Sequence, residues 1–212
     1  MIESLISILI LLYSAILHEI AHAWCASNLG DDTARNLGRL TLHPRPHLDP
    51  IGSILLPLLF LFSQSSFFFA WAKPVPINVN RLQNPRLDII WIAVAGPLTN
   101  LTVALFAGLI FKGLGHFPFS IVYILPLVAA VIQINIILAL FNLLPIPPLD
   151  GSKILSGILP QPLSRYYNQI APYGIWIILS ILLMSSFLHI PVLWYVIAPF
   201  YRFLFGLFTG TL

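Results

Sequence analysis

In this 212-residue chain the residues whose types and spacing suit chemistry are His18-Glu19-Ile20-Ala21-His22, set inside an apolar run. On a helix, positions i and i+4 share one face, so both imidazoles can reach a single metal ion. The residue after the first histidine points to the side of that pair. A carboxylate there can take a proton from a water that the metal activates. Glu3 is the only other glutamate in the chain. A catalytic zinc normally takes three protein ligands and one water, so a third ligand is expected elsewhere. Asp150 fits, because it follows the apolar run 121–144 in the stretch Asn142-Leu143-Leu144-Pro145-Ile146-Pro147-Pro148-Leu149-Asp150-Gly151. The prolines stop the helix and expose backbone near membrane depth, which is tolerated only beside protein or a water-filled cavity. His43, His47 and Asp49, in a polar loop, compete for the same role.

Membrane helices must position these residues. Of the chain 58% is hydrophobic and 8% charged, against about 25% charged in soluble domains. So little charge cannot clothe a surface in water, and the mean hydropathy of +0.93 agrees. A soluble globular fold, a disordered chain and a nucleic-acid binder are excluded; a net charge of +3 is too small for a phosphate-binding surface of that kind. The partner that composition dictates is the lipid bilayer. Cys25 is the only cysteine, so no internal disulfide forms.

The apolar stretches fall at 4–26, 51–70, 89–111, 121–144, 172–188 and 191–209. We expect an all-α polytopic membrane protein with five to six transmembrane or re-entrant helices. It should form a single membrane-embedded domain over 1–212, with a catalytic core at 4–160 and C-terminal helices at 172–209. The acidic n-region and the absence of a small-residue cleavage site argue against a signal peptide in the first run. Polar connections are expected at 27–50, 71–88 and 149–171. Within the first, Leu37-Gly38-Arg39-Leu40-Thr41-Leu42-His43 alternates weakly between glycine and proline, which predicts a short strand or hairpin. Asn100 and Asn135, inside spans, are expected as interhelical hydrogen-bond partners.

The chain resembles the site-2 proteases, zinc metalloproteases that cut inside membranes. It is similar to the short group without an inserted peptide-binding domain or a C-terminal nucleotide-binding module. The resemblance runs through His18-Glu19-Ile20-Ala21-His22, Gly38-Arg39-Leu40-Thr41-Leu42-His43-Pro44, His47-Leu48-Asp49-Pro50, Trp71-Ala72-Lys73-Pro74-Val75-Pro76, Gly96-Pro97-Leu98-Thr99-Asn100 and Asn142 to Gly151. It implies one zinc ion per chain held by His18, His22 and Asp150, with Glu19 as general base. It implies a substrate-contacting role for Asn142 and membrane-anchored protein substrates. His43 stands where a plainer polar residue such as Asn is expected.

A helical peptide bond is shielded by its own hydrogen bonds, so cleavage needs a locally unwound substrate. The 37–43 segment, with Leu40, Thr41 and Leu42 at its centre, is the expected edge for adding such a strand. The competing reading is a zinc-binding membrane protein without activity, or an inactive protease that only holds substrates; a positioned Glu19 argues against it. A single zinc site also constrains topology. His18, His22 and Asp150 must lie at one membrane face, so 51–70 is expected to re-enter rather than cross, with Gly52 and Pro57 helping it turn. Eight of the ten basic residues then share a face, which is expected to be cytoplasmic in the plasma membrane.

Overall fold

The structure, a computed structural model, describes residues 2–55, 72–114, 120–188 and 190–211. Helix α1 (Ile2–Asn28) is unbroken by glycine or proline and carries the His18–His22 motif towards its C-terminal end. A four-residue helix α2 (Thr33–Asn36) follows, then short helical turns at Arg45–His47 and Pro50–Leu55. The long helices α3 (Pro85–Leu114) and α4 (Ser120–Asn142) come next. Helices α5 (Asp150–Ile158) and α6 (Gln161–Asn168) lie in the stretch expected to be a polar return loop. Helices α7 (Gly174–Leu188) and α8 (Val192–Thr209) end the chain. Among the described residues five helical stretches are long and apolar enough to cross a membrane: Glu3–Asn28, Pro85–Leu114, Ile124–Asn142, Gln161–Ser185 and Val192–Thr209. The all-helical expectation holds.

The core is built from small and branched residues. Ala104 and Ala107 of α3 meet Ile132 and Ile136 of α4, with Tyr201, Phe205 and Phe208 of α8 packed over them. Small side chains let backbones approach where lipid supplies no hydrophobic drive between helices. Trp91, Phe106, Trp176 and Phe187 point outward and are exposed, as lipid-facing residues are. At one end, Ala26 of α1 packs with Ile92 of α3 and with Leu82 of the intervening chain. The chain therefore leaves α1 and enters α3 on the same side.

Two expectations need correction or delimiting. The strand predicted at 37–43 does not form; the described residues hold turns and bends there. Leu37, Gly38 and Arg39 donate their N–H groups back to Thr33, Arg35 and Ala34, closing the end of α2. Gly38 adopts φ +66, which ends any extended run. The re-entrant segment expected at 51–70 lies outside the described residues from 56 onward. On either side of it, however, Lys73 N donates to His47 O at 2.8 Å, so the chain departs and returns at one place.

Candidate metal centre

Helix periodicity brings His18 and His22 to the same face of α1, and their rings meet edge-on with centroids 4.6 Å apart. Asp150 arrives from the first turn of α5, after the prolines have ended α4's direction. Its Oδ2 lies 3.0 Å from His18 Nε2 and 3.1 Å from His22 Nε2. All three side chains are buried. The three residues form a group able to hold a metal ion.

Hydrogen bonding decides which atoms face that point. His22 Nδ1 lies 2.6 Å from the carbonyl oxygen of Ile92, which can only accept, so Nδ1 carries the proton. His18 Nδ1 lies 2.6 Å from Asn100 Oδ1. The Asn100 amide is oriented in turn, because its Nδ2 donates to Ser14 O at 3.2 Å and to Asn135 Oδ1 at 2.9 Å. Asn135 Nδ2 donates to Ser14 Oγ at 2.9 Å, and both asparagines are fully buried. In neutral imidazoles both Nε2 atoms are then lone pairs, aimed at a carboxylate oxygen. Three electron-pair donors converging without a proton between them call for a cation. Zinc–nitrogen bonds of about 2.0–2.1 Å in a tetrahedron separate ligand atoms by about 3.3 Å, close to what is seen.

Two further residues shape the centre. A Cβ added at Gly96 would stand 2.5 Å from His22 Nε2 and 2.6 Å from His18 Nε2, so only glycine leaves the donor atoms clear. Lys153, one turn after Asp150, donates from Nζ to Asp150 Oδ1 at 2.9 Å. That leaves Oδ2 as the oxygen facing the imidazoles.

Glu19 stands outside the trio. Its Oε2 accepts the backbone N–H of Val75 at 2.7 Å. Val75 lies between Pro74 and Pro76, which have no N–H, in a stretch over 72–78 that is neither helix nor strand. This stretch is held along its length. Arg39 donates to the carbonyls of Lys73 at 2.5 Å and Pro74 at 3.2 Å. Asn78 N donates to Asp31 Oδ2 at 2.6 Å, and Val75 packs against Ala23 and Ala34. Asp31 also accepts from Thr33, and these bonds hold its carboxyl below the usual range although burial opposes them.

The competing ligands are used locally. His43 Nδ1 accepts Arg45 N, Asp49 Oδ1 accepts Ile51 N and Gly52 N, and His47 Nε2 donates to Thr41 O at 2.9 Å. None joins the cluster. Asn142 turns back on α4, donating to Leu138 O at 2.9 Å. Leu40 packs beside Ala23, Ala34 and Val75, while Leu42 is exposed. Arg39, Val75 and Gly96 stand within the motif runs that carry the resemblance, but sequence assigns none of Arg39, Val75 and Lys153 a role at the centre, and Gly96 only close helix packing.

Comparison with known proteins agrees with this chemistry. The sequence profile of peptidase family M50 matches residues 118–185. The chain is 36% identical over 199 residues to a Bacillus subtilis protein named "Putative zinc metalloprotease YwhC", covering 88% of this chain and 84% of that one. It is 29% identical over 180 residues to the similarly named Rip2 of Mycolicibacterium smegmatis, covering 82% of this chain and 65% of Rip2. A 67-residue stretch is 46% identical to MJ0611 of Methanocaldococcus jannaschii, also named as a zinc metalloprotease, covering 30% of this chain and 31% of that one. No solved structure matches.

Proposed function

The chain belongs to peptidase family M50 and is a multi-pass zinc metalloprotease; from that premise we propose that it is an endopeptidase cutting membrane-anchored proteins within or near their transmembrane segments. His18 Nε2, His22 Nε2 and Asp150 Oδ2 would hold the zinc. When bound, zinc supplies Lewis-acid polarisation of the scissile carbonyl and acidifies a water. Glu19 is the general base. Its Oε2 is engaged by Val75 N–H, which leaves Oε1 to accept a proton as the water oxygen attacks the carbonyl carbon. Glu19 then returns that proton to the departing nitrogen as the C–N bond breaks.

The observation that carries this reading is the division of labour on one helix, α1. Two histidines converge on a carboxylate while the glutamate beside them is held apart by a different donor. A protein that merely stores or carries metal needs the ligands but no base so placed. Asn142 and the turn through Leu40, Thr41 and Leu42 would meet the unwound substrate. The protein is assigned to the plasma membrane with the centre nearer the cytoplasm, since Arg35, Arg39, Arg45, Lys73, Arg81, Arg86, Lys153 and Arg165 gather at that end.

The test is a comparison of Glu19→Gln with His18→Ala in native membranes. Membrane-protein fragments that accumulate with the wild type should vanish in both variants, while purified Glu19→Gln keeps zinc and His18→Ala does not. Fragments persisting with Glu19→Gln would reject the base assignment and favour a non-enzymatic zinc protein.

A further inference from the structure

A cavity of about 610 Å³ adjoins the metal centre through Lys153, which lines it while donating to Asp150. Three cations from three elements line this cavity: Arg86 in the first turn of α3, Lys153 in α5 and Arg165 in α6. No aspartate or glutamate is among its lining residues. The carboxylate beside it, Asp150, is already matched by Lys153 and by the histidines. Arg86 is held at the wall, since its Nε donates to Gly157 O at 2.9 Å and its Nη2 to Leu159 O at 2.5 Å. Neither Arg86 nor Arg165 has a carboxylate partner among the described residues. Two guanidinium groups, each with forked donors to spare, match the geometry of a phosphate.

The position of the cavity narrows what carries that phosphate. Its walls include Arg86 at the start of α3, Pro147 just past the end of α4, and Gln161 at the start of the crossing stretch Gln161–Ser185. Ends of membrane-crossing stretches therefore meet around it, at the depth where hydrocarbon gives way to headgroups. The flanking surface has the same character. Ile158, Leu163, Tyr166, Tyr173 and Trp176 are each more than half exposed, an apolar and aromatic belt beside the basic mouth. A basic recess between membrane helices at this level is a headgroup site by its chemistry.

We propose that the cavity lined by Arg86, Lys153 and Arg165 binds the phosphate of an anionic phospholipid. The same cations would accept free phosphate, but three span ends and an aromatic rim favour a phosphate tethered to acyl chains. The site shares Lys153 with the metal centre, but its argument does not rest on the proposed proteolysis.

Native mass spectrometry of the full-length, zinc-loaded protein in mild detergent tests this. The probes are phosphatidylglycerol, phosphatidylcholine and inorganic phosphate. Phosphatidylglycerol should remain bound under activation that strips phosphatidylcholine, and millimolar inorganic phosphate should not displace it. Arg165→Gln should lower phosphatidylglycerol occupancy about fivefold, as loss of roughly 1 kcal/mol per basic side chain implies. Arg165→Lys should largely restore it. Zinc content, unchanged in both, reports an intact fold. Equal retention of the two lipids, or occupancy indifferent to Arg165→Gln, would overturn the site. Displacement by inorganic phosphate would overturn the lipid as its ligand.

Discussion

The backbone N–H of Val75 donates to Glu19 Oε2 at 2.7 Å, and it is the one amide hydrogen in Pro74-Val75-Pro76. Two prolines therefore present a single donor to the glutamate, on a segment that Arg39, His47 and Asp31 hold in place. A charge-assisted hydrogen bond contributes about 1.5–3 kcal/mol. Val75→Pro deletes that donor. Proteolysis should fall roughly 10- to 100-fold with zinc content unchanged. Val75→Ala, which keeps the N–H, should lose much less. Equal activity in the two variants would show that the amide does not position Glu19.

Asn100 transmits the packing of three helices to His18. Replacing it with alanine removes the partner of Nδ1 and leaves Asn135 Oδ1 without its donor in the core. Loss of such an outer partner typically costs about 10- to 100-fold in metal affinity. Competition with a chelator should show that loss for Asn100→Ala. Arg35→Gln, at the exposed end of α2, should show none.

The motif on α1 is legible in sequence because helical spacing alone places His18 and His22 together. Asp150 is legible because a carboxylate after an apolar run needs a reason to be there. The partners of Glu19 are not, since a backbone N–H has no residue type to read and Val75 looks like any apolar residue. The short alternation over 37–43 predicts a strand that does not form. There Leu40 turns inward beside Val75, but Gly38 and the hydrogen bonds closing α2 break the extended run. Helices α5 and α6 are amphipathic, but each spans only about two turns, and the polar composition of 149–171 reads as a loop.

Gly96 faces the donor atoms directly. Gly96→Ala puts a methyl within 2.6 Å of both Nε2 atoms, at the point on which the ligands converge. Alanine is well tolerated in a helix, so the fold should survive while zinc is lost. Metal analysis of the purified variant checks this. Full zinc occupancy would mean that the donor atoms meet elsewhere.

His47 supplies a pH dependence outside the membrane helices. It is fully buried, and burial pushes its pKa below the ordinary value of 6.5. The unfolded chain then binds the proton more readily than the folded one. The stability that neutral His47 contributes is complete above about pH 6.5 and is lost as pH falls through that value towards the folded pKa. Its Nε2 holds Thr41 O, and its own carbonyl holds Lys73 N. The protection factor of the Lys73 amide, its exchange rate relative to the intrinsic rate at each pH, should therefore fall between pH 7 and pH 5. His47→Gln should flatten that response.

Topology follows from the same contacts. Asp31, just past α1, accepts Asn78 N at 2.6 Å, so the chain before 50 and after 72 lies at one membrane face. Lys112, at the far end of α3, donates to Leu207 O at 3.1 Å and sits away from that cluster of eight cations. From the positive-inside rule we predict that the eight lie on the cytoplasmic side. Single cysteines at Asn36 and Asn80, both exposed, in a Cys25→Ser background should resist a membrane-impermeant thiol reagent on intact cells. Both should react once the membrane is permeabilised. Labelling of both in intact cells would reverse the orientation. Labelling of position 80 without position 36 would mean that the chain between them crosses the bilayer, which the Asp31–Asn78 bond forbids.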